Sequence, residues 1–388
     1  YWNWCLLLRH DADLRGRIRF DGFEHKPSIL TDGVWRPIDE DEVYCLAMHI
    51  AGKWGICPNP ELLAKSVRHV SMDERVDPLI DYIQSLPEWD AEPRIGRFLF
   101  RAFDAVYPLK DDPDAGSEDL TAEQTKTLLS RLGECFMISA IARAMRPGCK
   151  ADASLILAGP QGAGKSKACE ALVPRRDWFN SSPIEVGKRD GQLILQGTWI
   201  QEIKELDSFK NKAATRIKAY LDEQYDNVRP LYAKSFEQVP RRCVFLGTTN
   251  ETKFLNDSTG NRRYWVIQIG DRIDVGWLKE NRDQMWAEAY HRFMAGEQWW
   301  LSPTEDVWLR KHNLTYTEID PWGELIQPFM MRNPGSTTTE ILLDCIKMPR
   351  DRLTAHHKAR VQGLMKMLGY RSKQVGSGVN RRSTWRIK

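Results

Sequence analysis

Apolar positions along the chain follow two different rhythms. From Val76 to Leu86, Arg94 to Ala105 and Gln124 to Met145 they recur every three or four residues, which predicts helices. The segment SLPEWDAEPR, residues 85–94, interrupts them with two prolines, and Pro147-Gly148 stops the last run. The pattern then changes. Ala153–Ala158 (ASLILA) is a short continuous apolar run, as expected of a strand buried on both faces. Leu193–Leu195, Trp199–Ile203 and Cys243–Gly247 continue the series, with helical stretches at Lys165–Leu172 and Lys210–Leu221. Strands alternating with helices predict an α/β domain with a parallel sheet. Residues 1–75 mix helix and short-strand signals and carry no readable chemistry. The last fifty residues read as three helices and a strand pair, Arg371–Val375 and Ser383–Ile387, turning at GSG 376–378. The expected division is an accessory region 1–75, a helical collar 76–150, the α/β domain 151–300, a helical connector 301–335 and a basic domain 336–388.

Composition narrows the class. The chain has 388 residues, of which 42% are hydrophobic and 28% charged, a globular balance for two or three domains. No apolar run is long enough to span a bilayer, so no membrane partner is expected. Eight scattered cysteines without a CxxC pair predict free thiols in a reduced compartment. The chain opens on Tyr1 without Met, and the expectation is a piece of a longer protein. Net charge is only +3, but from Arg350 to Lys388 eleven basic residues face a single acid, Asp351. That one-sided excess points to a polyanion.

The chemistry begins at residues 159–166, GPQGAGKS, which satisfy G-x-x-x-x-G-K-[ST] between an apolar run and a helix. Glycines there let backbone N–H groups converge on phosphate, helped by the helix N-terminus. The predicted nucleotide contacts are Gly159, Pro160, Gln161, Gly162, Ala163, Gly164, Lys165, Ser166 and Lys167. Lys165 is expected to reach the β- and γ-phosphates and Ser166 to ligate Mg²⁺. The strand WIQEIKELD (199–207) supplies Glu202 and Glu205, one for the magnesium water shell and one for the attacking water. Glu205 is favoured as the catalytic acid, with Glu202 also open for that role. VFLGTTN (244–250) ends on Asn250, a neutral amide able to position water. TGNRRYW (259–265) offers Arg262 and Arg263 as cations for γ-phosphate charge, expected from a neighbouring subunit. Arg229, Tyr232 and Lys234, in YDNVRPLYAKS (225–235), interleave charge with rings as single-stranded nucleic acid requires, although an ordinary surface connection fits the same residues. Arg371, Lys373, Arg381 and Arg382 make the terminal hairpin a candidate DNA-binding wing behind the helix Lys358–Leu368. A structural cap or a protein-binding module is the alternative.

Together these segments, with PGCKAD (147–152), YDNVRPLY, PRRCVFLGTTN and FLNDSTGNRRYW (254–265), resemble the virulence-associated protein E family of phage and mobile-element proteins. The resemblance covers about 75–388, and more weakly 1–75. It implies an AAA+, superfamily 3-like P-loop NTPase core with a mainly helical N-terminal region and a C-terminal winged-helix domain. It further implies a primase-helicase relative: an ATP- and Mg²⁺-dependent DNA helicase forming a hexameric ring. Such a ring would work on single-stranded or forked DNA in the cytoplasm of a bacterial host cell, with an upstream primase domain or replication proteins as partners. One departure stands out: the usual pair of adjacent acids is replaced by Glu-Ile-Lys-Glu at 202–205. Two rival readings remain: an ATP-controlled DNA-binding initiator that does not unwind, and a P-loop phosphotransferase.

Overall fold

The computed structural model describes residues 1–107, 120–183, 190–204, 212–229, 235–255, 261–317, 320–375 and 382–387. Its strands are β1 Ile18–Asp21, β2 Lys26–Thr31, β3 Val34–Pro37, β4 Arg75–Val76, β5 Ser154–Ala158, β6 Phe179–Asn180, β7 Ile200–Lys204, β8 Tyr225–Val228, β9 Glu237–Pro240, β10 Val244–Thr249, β11 Tyr264–Gln268, β12 Tyr370–Val375 and β13 Arg382–Ile387. Contacts divide the chain into two units. One comprises 1–252 and 262–312, the other 253–261 and 313–388.

The first unit is organised by a parallel sheet in the order β11-β5-β10-β7-β6. All five residues of β5 and all six of β10 are buried, as continuous apolar runs covered on both faces must be. The expected strand at Leu193–Leu195 does not form. Asp190–Leu193 is a short helix instead, and Leu193 is exposed. Three apolar residues are too few to separate strand from helix by period. The strand β11, whose apolar run YWVIQ adjoins β5, was not anticipated.

Against the sheet lies the helix Ala122–Met145, opened by a Thr121–Gln124 capping box. Its buried residues occur on every side, so it behaves as an interior helix. It shares one hydrophobic core with the sheet, including a close Trp199–Trp286 ring contact at 4.3 Å between centroids. The stretch 76–150 therefore has no separate core. The N-terminal segment does: helices Trp2–His10, Glu40–Trp54 and Pro60–Ser71 enclose Cys5, Leu8, Val43, Ile50 and Leu63 beside the sheet β3-β2-β1-β4. Arg68 and His25 of this segment both reach Glu237 at the start of β9, at 2.8 and 3.1 Å. All eight cysteines are free. Among the described residues, no helix is long and apolar enough to cross a membrane.

In the second unit, helices Pro321–Arg332 and Ala355–Met367 pack with the antiparallel pair β12–β13 around Ile326, Val361, Leu364, Tyr370 and Trp385. The hairpin residues 376–378 lie outside the described residues.

Candidate active site

The loop 159–166 leaves the C-terminal end of β5 and enters the helix Lys165–Ala171. In open α/β sheets, ligands bind in the crevice at this end of the strands. Gly162 and Gly164 have φ of 84° and 92°, a left-handed backbone that side chains disfavour. Lys165 is buried, and its ammonium donates to Gly159 O, Pro160 O and Asn250 Oδ1 at 2.7, 2.8 and 2.8 Å. Burial pulls its pKa below the ordinary lysine value.

At the next residue, Ser166 Oγ donates to Glu202 Oε1 at 2.7 Å, and Thr248 Oγ1 donates to the same oxygen at 3.0 Å. Glu202 is fully buried in the middle of β7. Its second oxygen, Oε2, is buried without a hydrogen-bond partner among the described residues. An orphaned carboxylate oxygen in such a place is costly. A carboxylate with a serine hydroxyl is a hard-oxygen donor set that suits Mg²⁺ and its waters. Lys165, Ser166, Thr248 and Asn250 line a cleft of about 380 Å³ formed by residues 162–167, Lys204 and 248–250, and Glu202 is bonded to two residues of its wall.

The predicted residues thus separate into groups. Lys165 meets Asn250, and Ser166 meets Glu202, in two adjacent hydrogen-bonded sets. Glu205, Tyr232, Lys234 and Arg381 lie outside the described residues. Arg262 and Arg263 precede β11, whose first residue Tyr264 pairs with Ser154 at the start of β5. They therefore sit at the end of the sheet opposite the loop, about 16 Å away along a five-residue strand. There they line a cleft of about 460 Å³ with Trp265, Trp299 and Trp300. Arg263 is tied to Asp222 by two bonds of 2.8 and 2.5 Å, which hold its guanidinium above its ordinary pKa. Arg262 is exposed and forms no ion pair among the described residues.

Arg229 is exposed at the end of β8, in a hairpin with β9. In the second unit, Arg371 and Arg386 are direct cross-strand neighbours, and Lys373 and Arg382 share their face by the period-two alternation. All four are exposed. Like charges placed directly opposite repel, so this face is suited to an anionic partner. Sequence reading overlooked three residues. Arg386 shows only once the strand register is known. Thr248 carries no signal beyond its place before Asn250. Lys204 was visible as the odd residue in Glu-Ile-Lys-Glu.

The fold and cleft define a parallel-sheet α/β protein with an oxygen-rich, lysine-bearing crevice at the carboxyl ends of its strands. The family model described as the virulence-associated protein E-like domain matches residues 83–318, more than half of the chain, and the chain belongs to that family. No curated protein matches it. Among solved structures it is similar to the A form apo structure of the NrS-1 C terminal region-CTR and to the apo structure of the NrS-1 C terminal region. Each has 13% identity, a TM-score of 0.43 and 96% of both chains covered.

Proposed function

We propose that the chain is an ATP-hydrolysing motor of the AAA+ P-loop class that acts on DNA in phage or mobile-element replication, as a helicase or translocase. The observation that carries this reading is the Lys165–Asn250 and Ser166–Glu202–Thr248 cluster, with Glu202 Oε2 left open beside the serine. In it, Lys165 exchanges loop carbonyls for phosphate oxygens. Ser166 and Glu202 would hold Mg²⁺ with its water shell, and the ion would offset phosphate charge. Asn250 orients water beside the terminal phosphate, and Glu205 is the candidate base. The strand order supports this too, because β10 stands between β5 and β7 and so delivers Asn250 between the loop and Glu202.

Arg262 is the finger for the next subunit's nucleotide, which makes a closed ring the working form. The hairpin carrying Arg229, with Tyr232 and Lys234, and the winged-helix-like second unit with Arg371, Lys373, Arg381 and Arg382 are the DNA contacts. The face that Arg386 completes supports that assignment.

The test is ATP hydrolysis and forked-DNA strand displacement by the purified chain. Lys165→Ala should lower hydrolysis by about 10²- to 10³-fold, the scale of losing one preorganised charge contact at the reacting phosphate. Glu202→Gln should lower hydrolysis by a similar factor while nucleotide still binds, because Lys165 and the loop amides remain. Hydrolysis unaffected by Lys165→Ala would end this reading. DNA-stimulated hydrolysis without strand displacement would favour the initiator alternative.

A further inference from the structure

Lys204 is a charge in the cleft that the loop and strand motifs leave without a role. It ends β7, two residues past Glu202, and is level with Thr248 in the β7–β10 register. Period-two alternation puts its side chain on the face that carries Glu202, and Thr248 joins that face through its bond to Glu202. The Lys204 ammonium donates to Ser181 Oγ at 3.1 Å, just beyond β6. The neighbouring strand thus steadies a side chain that would otherwise be free in solvent. Among the described residues it has no acidic partner, although it lines the cleft with Lys165.

We infer that Lys204 is a second cation for the terminal phosphate of a nucleotide in this cleft, and that it makes the site favour a triphosphate over a diphosphate. This rests on the cleft being the nucleotide site. Loop amides after β5 cradle the inner phosphates, and Lys165 reaches the outer two. The end of β7 lies two strand spacings from β5, about 9.5 Å. Only the outermost phosphate extends toward that position, past Asn250 at the end of β10. A magnesium-bound triphosphate carries a net charge of about −2, and Glu202 adds another negative charge, so one lysine leaves the site under-neutralised. In hydrolysis, a water oxygen bonds to the terminal phosphorus and the bond from that phosphorus to the β–γ bridging oxygen breaks. The diphosphate leaves with the electron pair, and the proton of the water passes to a base and then to solvent. Lys204 offsets charge on the terminal oxygens and transfers no proton.

The experiment measures ATP and ADP affinity, each with Mg²⁺, together with ATP turnover, for the full chain and its variants. Lys204→Met should lose about 10-fold of the preference for ATP over ADP, the scale of one charged hydrogen bond. ADP affinity and thermal stability should stay near wild type, since the side chain is exposed. Lys204→Arg should restore most of the preference. Ser181→Ala, which frees the ammonium without removing it, should give a smaller loss in the same direction. An unchanged ATP-to-ADP ratio in Lys204→Met, with Lys165→Ala unable to bind either nucleotide, overturns the role of Lys204 alone. If Lys165→Ala binds both nucleotides like wild type, the cleft is not the nucleotide site and both readings fall.

Discussion

Mixing Arg262→Ala protomers with Lys165→Ala protomers is expected to restore ATP hydrolysis that neither variant shows alone. The reason is positional. Arg262 and the loop 159–166 lie at opposite ends of the strand pair β5–β11, so a protomer's arginine cannot serve its own loop. In a ring, the intact loop of an Arg262→Ala protomer can face the intact arginine of a Lys165→Ala neighbour. Removing an arginine finger typically costs about 10³- to 10⁵-fold in turnover, so each pure variant should be near background. If head-to-tail interfaces act independently, an equal mixture should recover about a quarter of the wild-type rate. Arg263→Ala should be milder, because Arg263 is engaged with Asp222 in a partly exposed pair, and such pairs contribute little, about 0–1 kcal/mol. Lack of recovery across all mixing ratios, with co-assembly verified, would remove the trans assignment.

The largest effect on stability is expected at Arg241. Its side chain is fully buried, pairs with Asp226 at 2.5 Å and Glu223 at 2.9 Å, and donates to the carbonyl of Tyr220. Asp226 is also buried and belongs to β8, so the pair anchors the β8–β9 hairpin that carries Arg229. Arg241→Ala leaves Asp226 as an uncompensated buried charge, at a cost of about 3–5 kcal/mol. In a unit of this size that corresponds to a melting temperature lower by roughly 10 °C. The double variant Arg241→Met with Asp226→Asn should recover much of the loss, because it removes both charges together. Thermal and urea unfolding of the two variants would check this. A loss below about 1 kcal/mol for Arg241→Ala would mean that water reaches Asp226 and that the pair does not hold the hairpin.

What could be read along the chain was set by short-range constraints. The loop 159–166 is legible because the glycines, lysine and serine of its pattern lie within eight consecutive residues. The runs at 153–158 and 243–247 are legible because strands covered on both faces are almost continuously apolar. The helix stop at Pro147-Gly148 is legible because a breaker acts within one turn. Leu193–Leu195 failed because three residues cannot fix a period.

The meeting of Ser166 with Glu202, 36 residues apart, and of Lys165 with Asn250, 85 apart, depends on β10 inserting between β5 and β7. No local pattern encodes that insertion; it follows from how the helices cover the sheet. The same holds for Lys204 beside the cleft, for Arg262 at the far end of the sheet, and for Arg371 opposite Arg386. Residue types and spacing determined that this chain carries a phosphate-loop pattern, an acidic strand segment and a basic tail. Only the tertiary structure decided which of them share a cleft, because strand order and register are settled by burial of the whole core rather than by any one segment.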